Sequence, residues 1–416
     1  MHILFLTDNF PPEVNAPASR TYEHCKVWVE AGHKVTVVTC APNFPQGKLF
    51  QGYKNKLHQV EEMDGIRVVR VWTYITVNEG MVKRTLDYLS YMFSAILASV
   101  FVRKVDVVIG TSPQFFTACA AYVVSRYKRI PFVFELRDLW PESIRAVGAV
   151  KDSFLLRSFE KLETFLYRKA NIIISVTNSF KKVLVSRGID EKKIHIVTNG
   201  VDLKRFSPLE KNEELLKRYQ LEGKIVAGYI GTHGMAHSLE TIILAAEILK
   251  EQGNNEFRFL LLGSGAEKER LKELAEHRKL ENLLFVDSVS KTDVPKFWSI
   301  LDVSIVHLKK TPLFRTVIPS KIFESMGMGI PILHGVQGES EDIINKENVG
   351  AVFESENPSQ LCEKLTELFS DKDRFLELKR NCVLSAKKYE RSRLAHHMLE
   401  KIEKIEKIEK IEKIVG

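Results

Sequence analysis

Residues 319–324, with the sequence Pro-Ser-Lys-Ile-Phe-Glu, have the composition of a phosphate site. Pro319 fixes one backbone angle, Ser320 is a favourable N-cap, and apolar residues follow at helical spacing, so a helix is predicted to begin near Lys321. The first amides of a helix lack intrahelical acceptors and carry positive partial charge. Lys321 adds a full positive charge, and the segment therefore suits a phosphate group.

Glu324 lies one turn into the same predicted helix. Its carboxylate would repel a phosphate, but it can accept hydrogen bonds from the hydroxyl groups of a sugar. Phosphate and hydroxyl recognition together indicate a sugar nucleotide. The alternative is that Ser320 and Glu324 only cap and solubilise an ordinary helix, and this segment alone does not separate the two.

A second polar cluster, Arg137, Asp138, Trp140 and Glu142, follows a predicted strand at 131–135. Side chains of these types can bind a hydroxyl, a phosphate and the face of a sugar ring. Asp138 is the best candidate to hold or deprotonate an acceptor hydroxyl. In the alternative interpretation, Arg137 pairs with Asp138 or Glu142 and only shapes the loop.

Two loops offer weaker signals. Residues 8–18 are rich in Pro and small residues and follow the first predicted strand, so they suit close approach by a substrate. Gly231-Thr232-His233-Gly234 lies between a predicted strand at 225–230 and a helix at 238–252, which is a possible phosphate site.

These segments are positioned by alternating strands and helices. A strand at 1–7, a helix at 19–31 and a strand at 34–39 form a βαβ unit, which implies a parallel sheet with ligands at the carboxyl ends of its strands. Residues 41–65 are polar and are predicted to form a loop. Further strands are predicted at 65–72, 106–110, 131–135, 171–176 and 193–197, and then at 225–230, 257–262, 283–286 and 303–307.

A chain of 416 residues is too long for one ordinary core and indicates two domains. We predict an N-terminal domain at 1–203, a second domain at 204–385, and a C-terminal helix with a Lys-Ile-Glu repeat at 386–416. Ile at every third position drifts about 60° around a helix at each step, so the repeat makes no single apolar stripe.

Composition excludes few functions. The chain is 44% hydrophobic and 27% charged, as in globular proteins, and its five Cys lack metal-ligand spacing. The N-terminus lacks the basic start of a secretion signal, so we expect a cytoplasmic protein. A net charge of +8 indicates anionic partners but does not choose among lipid, diphosphate and nucleic acid.

Residues 86–102 are strongly apolar and are flanked by Lys83, Arg84, Arg103 and Lys104. A membrane crossing is disfavoured, because Asp87 interrupts the stretch and a predicted strand follows at once. A core helix is the commonest explanation of such a stretch. A helix lying at the interface of an anionic membrane is the second possibility.

Several motifs together resemble family 4 of the retaining glycosyltransferases, and in particular a WbuB-like branch that transfers acetamido sugars such as N-acetylfucosamine. The matching residues cover essentially the whole chain and are Phe10-Pro-Pro-Glu13, Ala16-Pro-Ala18 with Arg20, Gly32-His33-Lys-Val-Thr36, Arg137-Asp-Leu-Trp-Pro-Glu-Ser143, Asn199-Gly-Val-Asp202, and Pro319-Ser-Lys-Ile-Phe-Glu324 with Gly329 and Pro331.

The resemblance implies a GT-B architecture, with two facing Rossmann-like α/β domains, parallel sheets and a C-terminal helix that crosses back to the N-terminal domain. It also implies a UDP-sugar donor, no metal and no further cofactor. The predicted donor residues are Gly231, Thr232, His233, Ser320, Lys321 and Glu324. The loop at 231–237 lacks the Arg and Lys that many members of the family carry there, so we nominate Lys321 and Arg315 to neutralise the diphosphate. The implied catalytic residues are Arg137, Asp138, Lys321 and Glu324, and the acceptor-binding residues are Asn15, Ala16, Arg20, Trp140 and Glu142.

The expected acceptor is linked to a lipid diphosphate at the inner face of the cytoplasmic membrane, contacted through residues 83–104, and no nucleic acid is involved. Thr316 stands where the family often carries an earlier Glu, so the donor-sugar contact of that Glu is in doubt. Two other functions stay open. These are a non-catalytic GT-B docking subunit and a sugar-nucleotide epimerase.

Overall fold

The computed structural model describes residues 1–44, 46–76, 81–139 and 154–415. The chain forms two compact units, one of Met1–Thr198 with Arg391–Gly416 and the other of Asn199–Glu390. The predicted domain boundary after residue 203 is thus placed after Thr198.

The first unit alternates strands and helices. Its strands are β1 (His2–Leu6), β2 (Lys34–Cys40), β3 (His58–Met63), β4 (Ile66–Val71), β5 (Val107–Thr111), β6 (Phe132–Leu136), β7 (Ile172–Ser175) and β8 (Ile194–Ile196). Its helices before the second unit are α1 (Ala16–Glu30), α2 (Met81–Val100), α3 (Phe115–Lys128), α4 (Phe154–Lys169) and α5 (Asn178–Ser186).

These strands form one sheet in the order β3-β4-β2-β1-β5-β6-β7-β8. All pairs are parallel except β3 with β4. The central strands are fully buried, as expected for a sheet covered by helices on both faces. The predicted parallel α/β class is confirmed.

Strand β3 is where the sequence prediction was wrong, since residues 41–65 were expected to form a loop. The strand pairs with β4 through a turn at Asp64 and Gly65, which both have positive φ. An Asp-Gly turn of this kind is a strong hairpin signal. The strand was missed because it is polar and lies at the edge of the sheet, with no residue fully buried.

The second unit repeats the alternation. Its helices are α6 (Glu213–Arg218), α7 (Glu240–Glu251), α8 (Lys268–His277), α9 (Val294–Ser299), α10 (Lys321–Met328), α11 (Glu339–Glu347), α12 (Pro358–Ser370) and α13 (Lys372–Ala386). Its strands are β9 (Ile225–Ile230), β10 (Phe257–Leu262), β11 (Leu283–Val286), β12 (Val303–His307), β13 (Ile332–Gly335) and β14 (Gly350–Val352). The sheet order is β11-β10-β9-β12-β13-β14, and every pair is parallel.

Helix α14 (Arg391–Val415) belongs to the first unit, as predicted for a helix that crosses back. It packs on α1, where the Trp28 indole donates a hydrogen bond to the Ala395 carbonyl at 2.9 Å. Along the repeat, Ile402 is fully buried, Ile405 is partly buried and Ile408 is 47% exposed. This change confirms the predicted drift of Ile around the helix.

Helix α2 has two different faces. Tyr91 and Ala95 are buried, whereas Leu86, Phe93, Leu97 and the adjoining Phe101 are 50, 60, 66 and 79% exposed. In the described part of the chain, no helix combines the length and apolar character needed to cross a membrane. The core-helix interpretation therefore accounts for only one face of α2.

We predict that Ile402→Ala lowers the free energy of unfolding by about 2–4 kcal/mol, because it leaves a cavity between α14 and α1. The matched change Ile408→Ala, two copies further along the repeat, is expected to change it by less than ~0.5 kcal/mol. Urea denaturation of the full chain measures both. Equal effects would contradict the packing described for α14.

Candidate functional site

In the second unit, glycines bring the loops after β9 and β10 into direct contact. A Cβ on Gly263 would lie 1.8 Å from the Gly231 carbonyl oxygen, and one on Gly265 would lie 2.3 Å from that of His233. The amides of Gly231 and His233 donate to the carbonyls of Leu262 and Ser264. These two amides therefore hold the neighbouring loop and are not available to a phosphate, and the lining of a diphosphate by Gly231 and His233 stays a prediction.

Lys321 crosses this loop from the start of α10. A Cβ on Gly231 would lie only 2.7 Å from the Lys321 Nζ, so glycine is required for this approach. Nζ donates to the Tyr229 hydroxyl at 3.2 Å and lies 4.5 Å from the centre of its ring. Burial lowers the pKa of Lys321 to about 8, with the Glu324 charge opposing the shift. The lysine stays mainly protonated at pH 7, yet it has no ion pair among the described residues.

Helix α10 begins at Lys321 as predicted, but its first turn is not capped in the predicted way. Ser320 has helical angles, and its side chain makes no capping hydrogen bond. The amides of Ile322 and Phe323 donate to the carbonyls of Pro319 and Ser320. The amides of Ser320 and Lys321 precede these bonds and form the positive end of the helix.

Three further residues of the predicted donor site have different surroundings. Glu324 is half-buried and close enough to Lys321 for its charge to act on the lysine. Arg315 is exposed in a short 3-10 turn and has no ion pair within the described ranges. Thr232 is exposed, and its carbonyl accepts the Tyr229 hydroxyl at 2.8 Å.

Thr316 lies in the short 3-10 turn of Phe314–Thr316 that precedes α10. Its hydroxyl donates to the Leu313 carbonyl at 2.6 Å and closes the short turn before α10.

His233 is fully buried, and neither ring nitrogen has a partner in the described part of the chain. Burial, together with the smaller effect of the charges of Lys268 and Lys321, lowers its pKa to about 4. A neutral imidazole cannot neutralise a diphosphate. Its ring packs between Tyr229 and Phe285, and a neutral imidazole can still donate a hydrogen bond, so the contact of His233 with a diphosphate stays a prediction.

The first unit contains a cavity of about 290 Å³ at the carboxyl ends of its strands. Helix α2 contributes one wall. The charged and amide side chains that line the cavity, together with two threonines, are Asp8, Asn9, Glu13, Asn15, Asn43, Thr73, Thr76, Arg84, Asp87, Gln114 and Asp138.

Asp138 is placed in this cavity by the loop after β6. The Ser112 hydroxyl oxygen accepts the amides of Arg137 and Asp138 at 2.8 and 3.2 Å, which ties this loop to the one after β5. Arg137 lies beside Asp138, and two of its guanidinium nitrogens are buried without a partner among the described residues. Burial lowers its pKa to about 10, so it remains a cation.

The predicted acceptor-binding residues separate into different groups. Asn15 lines the cavity, and its Oδ1 caps α1 by accepting the Ala18 amide at 2.9 Å. Ala16 is exposed at the start of α1 and does not line the cavity. Trp140 and Glu142 lie outside the described residues.

Arg20 requires a correction. It is 3% exposed, its Nε donates to Glu135 at 2.9 Å, and its other nitrogens donate to the carbonyls of Val197 and Thr198. All three nitrogens of the guanidinium thus donate hydrogen bonds to groups inside the first unit. Arg20 therefore supports the fold and is not an acceptor contact.

Sequence reasoning placed Asp8 and Glu13 in a loop that a substrate approaches, but it gave neither side chain a role of its own. Asp87 was taken only as an interruption of an apolar stretch. Arg84, Asp87, Tyr88 and Tyr91 line the cavity at helical spacing, and this polar face of an otherwise apolar helix was the available signal. Burial raises the pKa of Glu13 to about 7 and that of Asp87 to about 7, and the nearby Asp8 charge adds to both shifts.

Comparison with known proteins identifies the two halves separately. Residues 18–205 match the model of Glycosyltransferase Family 4, and residues 211–389 match that of Glycosyl transferases group 1. The two matches together cover most of the chain.

Individual relatives are distant. The chain is 24% identical to the colanic acid biosynthesis glycosyl transferase WcaI of Escherichia coli K12, over 79% of this chain and 82% of that protein. It is 22% identical to a GDP-mannose-dependent alpha-mannosyltransferase of Mycobacterium tuberculosis, over 92% of each. Among solved structures, HepE of Anabaena in complex with UDP superposes with a TM-score of 0.71 at 14% identity, over 97% of this chain and all of that one. The fold is GT-B, as predicted.

We predict that stability depends on pH through Glu13. The folded carboxyl holds its proton up to about pH 7, whereas the unfolded one releases it near 4.5. The folded state is thus favoured below that range, and the unfolding free energy should fall as pH rises from 5 to 8. Glu13→Gln should remove on the order of 2 kcal/mol of this change.

Urea denaturation at pH 5 and pH 8 measures the effect. Glu62→Gln, on the exposed edge strand β3, is the matched control and should leave the pH dependence unchanged. If Glu13→Gln and the wild type lose equal stability between the two pH values, Glu13 does not titrate as described.

Proposed function

We propose that this chain, which belongs to glycosyltransferase family 4, transfers a sugar from a UDP-sugar to a saccharide or lipid-linked acceptor in surface polysaccharide biosynthesis. The observation that carries the proposal is the half-buried Lys321 ammonium against Gly231 at the start of α10. The name of the WcaI relative supports the polysaccharide pathway. An N-acetylated donor sugar, as in the WbuB-like branch, is part of the proposal.

Lys321 would bind the diphosphate. It is a cation without an ion pair among the described residues, and it lies next to the positive end of a helix. As the glycosidic bond breaks, negative charge develops on the leaving diphosphate, and fixed positive groups stabilise it. The exposed Arg315 is proposed as a second, mobile cation, and Glu324 as the acceptor of hydrogen bonds from the ribose hydroxyls.

The donor nucleotide is proposed to be UDP. HepE binds UDP, whereas the mycobacterial relative is named for GDP-mannose. UDP and GDP share the diphosphate and ribose, so Lys321 and Glu324 would serve either one. Direct titration with both nucleotides distinguishes them.

Asp138 and Arg137 are proposed to act on the sugars in the first unit. Asp138 lines the cavity described above and can accept a hydrogen bond from an acceptor hydroxyl. Beside it, Arg137 has two buried guanidinium nitrogens without a partner among the described residues. The reaction is proposed to retain the anomeric configuration without a protein nucleophile, with the departing phosphate taking the acceptor proton, and to need no metal ion.

The exposed apolar face of α2 is proposed to contact a membrane. Leu86, Phe93, Leu97 and Phe101 lie on this face, and Lys83, Arg103 and Lys104 flank it. Apolar side chains with basic flanks suit an anionic lipid surface. This contact would bring the enzyme to a lipid-linked acceptor at the inner face of the cytoplasmic membrane.

We expect Lys321→Met to weaken UDP binding roughly ten- to hundredfold, because a charge-assisted hydrogen bond to the diphosphate is lost. Isothermal titration calorimetry measures the affinity. Lys346→Met, on the exposed surface of α11, is the matched control and should bind UDP normally. Unchanged UDP affinity in Lys321→Met would refute the proposed diphosphate site.

Hydrolysis of UDP-sugars by the purified protein tests for catalysis. We expect UDP release that is lost in Glu324→Ala. A non-catalytic docking subunit would bind but release no UDP, and an epimerase would change the sugar without releasing it.

We expect the full chain to co-sediment with anionic phospholipid vesicles and to lose most of this binding in Phe93→Ser/Leu97→Ser. Leu376→Ser/Leu384→Ser removes two similarly exposed residues of α13 and is the control. Binding that survives the α2 changes, or that is equal on neutral vesicles, would argue against this surface.

A further inference from the structure

The cavity of the first unit contains hydrogen-bonding groups that the fold leaves unused. Glu13 is 2% exposed, and its Oε1 accepts the amides of Asn43 and Phe44 at 2.8 and 2.9 Å. These bonds fix the carboxylate. Its Oε2 is buried and has no partner among the described residues. A buried acceptor in this state costs free energy unless a ligand or water supplies the missing bond.

Two other residues that line the cavity also have a buried polar atom without a partner among the described residues. Gln114 is 4% exposed, and its Oε1 caps α3 by accepting the Thr117 amide at 2.8 Å, while its Nε2 has no partner in the described chain. Thr73 is 1% exposed, and its hydroxyl also lacks one. An acceptor, a donor and a hydroxyl from three separate loops thus line one cavity.

We propose that this cavity binds the terminal sugar of the acceptor, and that it selects a neutral or amine-bearing polyhydroxylated sugar over one carrying a carboxylate or phosphate. The proposal rests on the proposed transfer to a saccharide acceptor. Sugar hydroxyls donate and accept hydrogen bonds, so they can satisfy Glu13, Gln114 and Thr73 together. At about 290 Å³, the cavity lies at the small end of ligand pockets and suits the end of a saccharide.

Charge supplies the selection against anions. Above about pH 7, where Glu13 and Asp87 have lost their protons, the described lining carries more acidic than basic side chains, with Asp8, Glu13, Asp87 and Asp138 against Arg84. Arg84 is exposed and donates to the Tyr88 hydroxyl at 3.0 Å. An anionic substituent would face like charges at close range, which is unfavourable, whereas an ammonium group would be attracted.

Among the residues that the structure describes, other cations near these carboxylates do not reverse this charge. Against the effect of burial, the charge of Arg70 lowers the pKa of Glu13, but its guanidinium donates to Glu61 at 2.6 Å and to the carbonyls of Cys40 and Pro11. The charge of Arg137 likewise lowers the pKa of Asp8, but Arg137 does not line the cavity. The diphosphate of a lipid-linked acceptor would therefore be excluded from the cavity, which leaves only sugar inside.

Ligand-observed NMR titration of the full chain at pH 8, where Glu13 and Asp87 are ionised, tests this selection with four methyl hexopyranosides that differ at one substituent. The four are methyl glucoside, methyl glucosaminide, methyl glucuronide and methyl glucoside 6-phosphate. We expect the first two to bind at least ~tenfold tighter than the two anions.

Glu13→Gln and Asp87→Asn should each reduce this ratio to about threefold or less, because each removes a negative charge while keeping the shape of the side chain. The two variants lie on different elements, so a folding defect in one leaves the other informative. Glu62→Gln, outside the cavity, should keep the wild-type ratio.

The proposal is overturned if the anionic glycosides bind as tightly as the neutral one, if none of the four binds, or if neither variant changes the ratio. Titration of the wild type with UDP separates this result from the proposed function. UDP binding without sugar selection refutes only the cavity assignment. Sugar selection without UDP binding refutes only the donor assignment.

Discussion

Parallel strand pairing is the constraint on which both units depend. In a parallel sheet all strands end at the same edge, so the loops that follow them are brought together without any direct sequence relation. In the first unit this edge collects Asp8, Thr73, Gln114 and Asp138 from the ends of four strands and the loops beyond them. In the second unit it brings the loops after β9 and β10 into contact through glycines. Each unit gains a polar edge on an otherwise buried sheet.

The two polar edges have opposite electrostatic character. The second unit presents a lysine and a helix N-terminus, and burial lowers the pKa of its histidines His233 and His237, so the positive charge comes from Lys321 and the helix. The first unit presents carboxyl groups, and because burial raises the pKa values of Glu13 and Asp87 to about 7, these two are negative mainly above that pH. A positive site suits a nucleotide diphosphate, and a negative site suits a polyhydroxylated sugar. This division matches the two substrates of a glycosyltransferase.

Some buried charges in the first unit stabilise the fold, and another is a candidate for the chemistry. Arg20 and Glu135 form an ion pair inside the unit, with both side chains at most 3% exposed. The other Arg20 nitrogens hold the carbonyls at 197 and 198, where the chain leaves the unit. Arg137, close by, keeps two buried nitrogens without a partner in the described ranges. Because both residues are arginines, the sequence could not distinguish the structural Arg20 from the candidate functional Arg137. The number of hydrogen bonds that each one makes distinguishes them.

The sequence by itself determined the alternation of strands and helices, the start of α10, and the residue types at Asp138, Lys321 and Glu324, because hydrophobic periodicity and capping residues are local signals. The tertiary structure alone decided which polar groups are hydrogen-bonded within the fold and which line a cavity. It bonded the amides of Gly231 and His233 to the neighbouring loop, buried Arg20, and turned Asp87 of an apolar helix toward Glu13 and Asp8. These outcomes depend on contacts between residues far apart in the chain, and no local pattern encodes the distance between them.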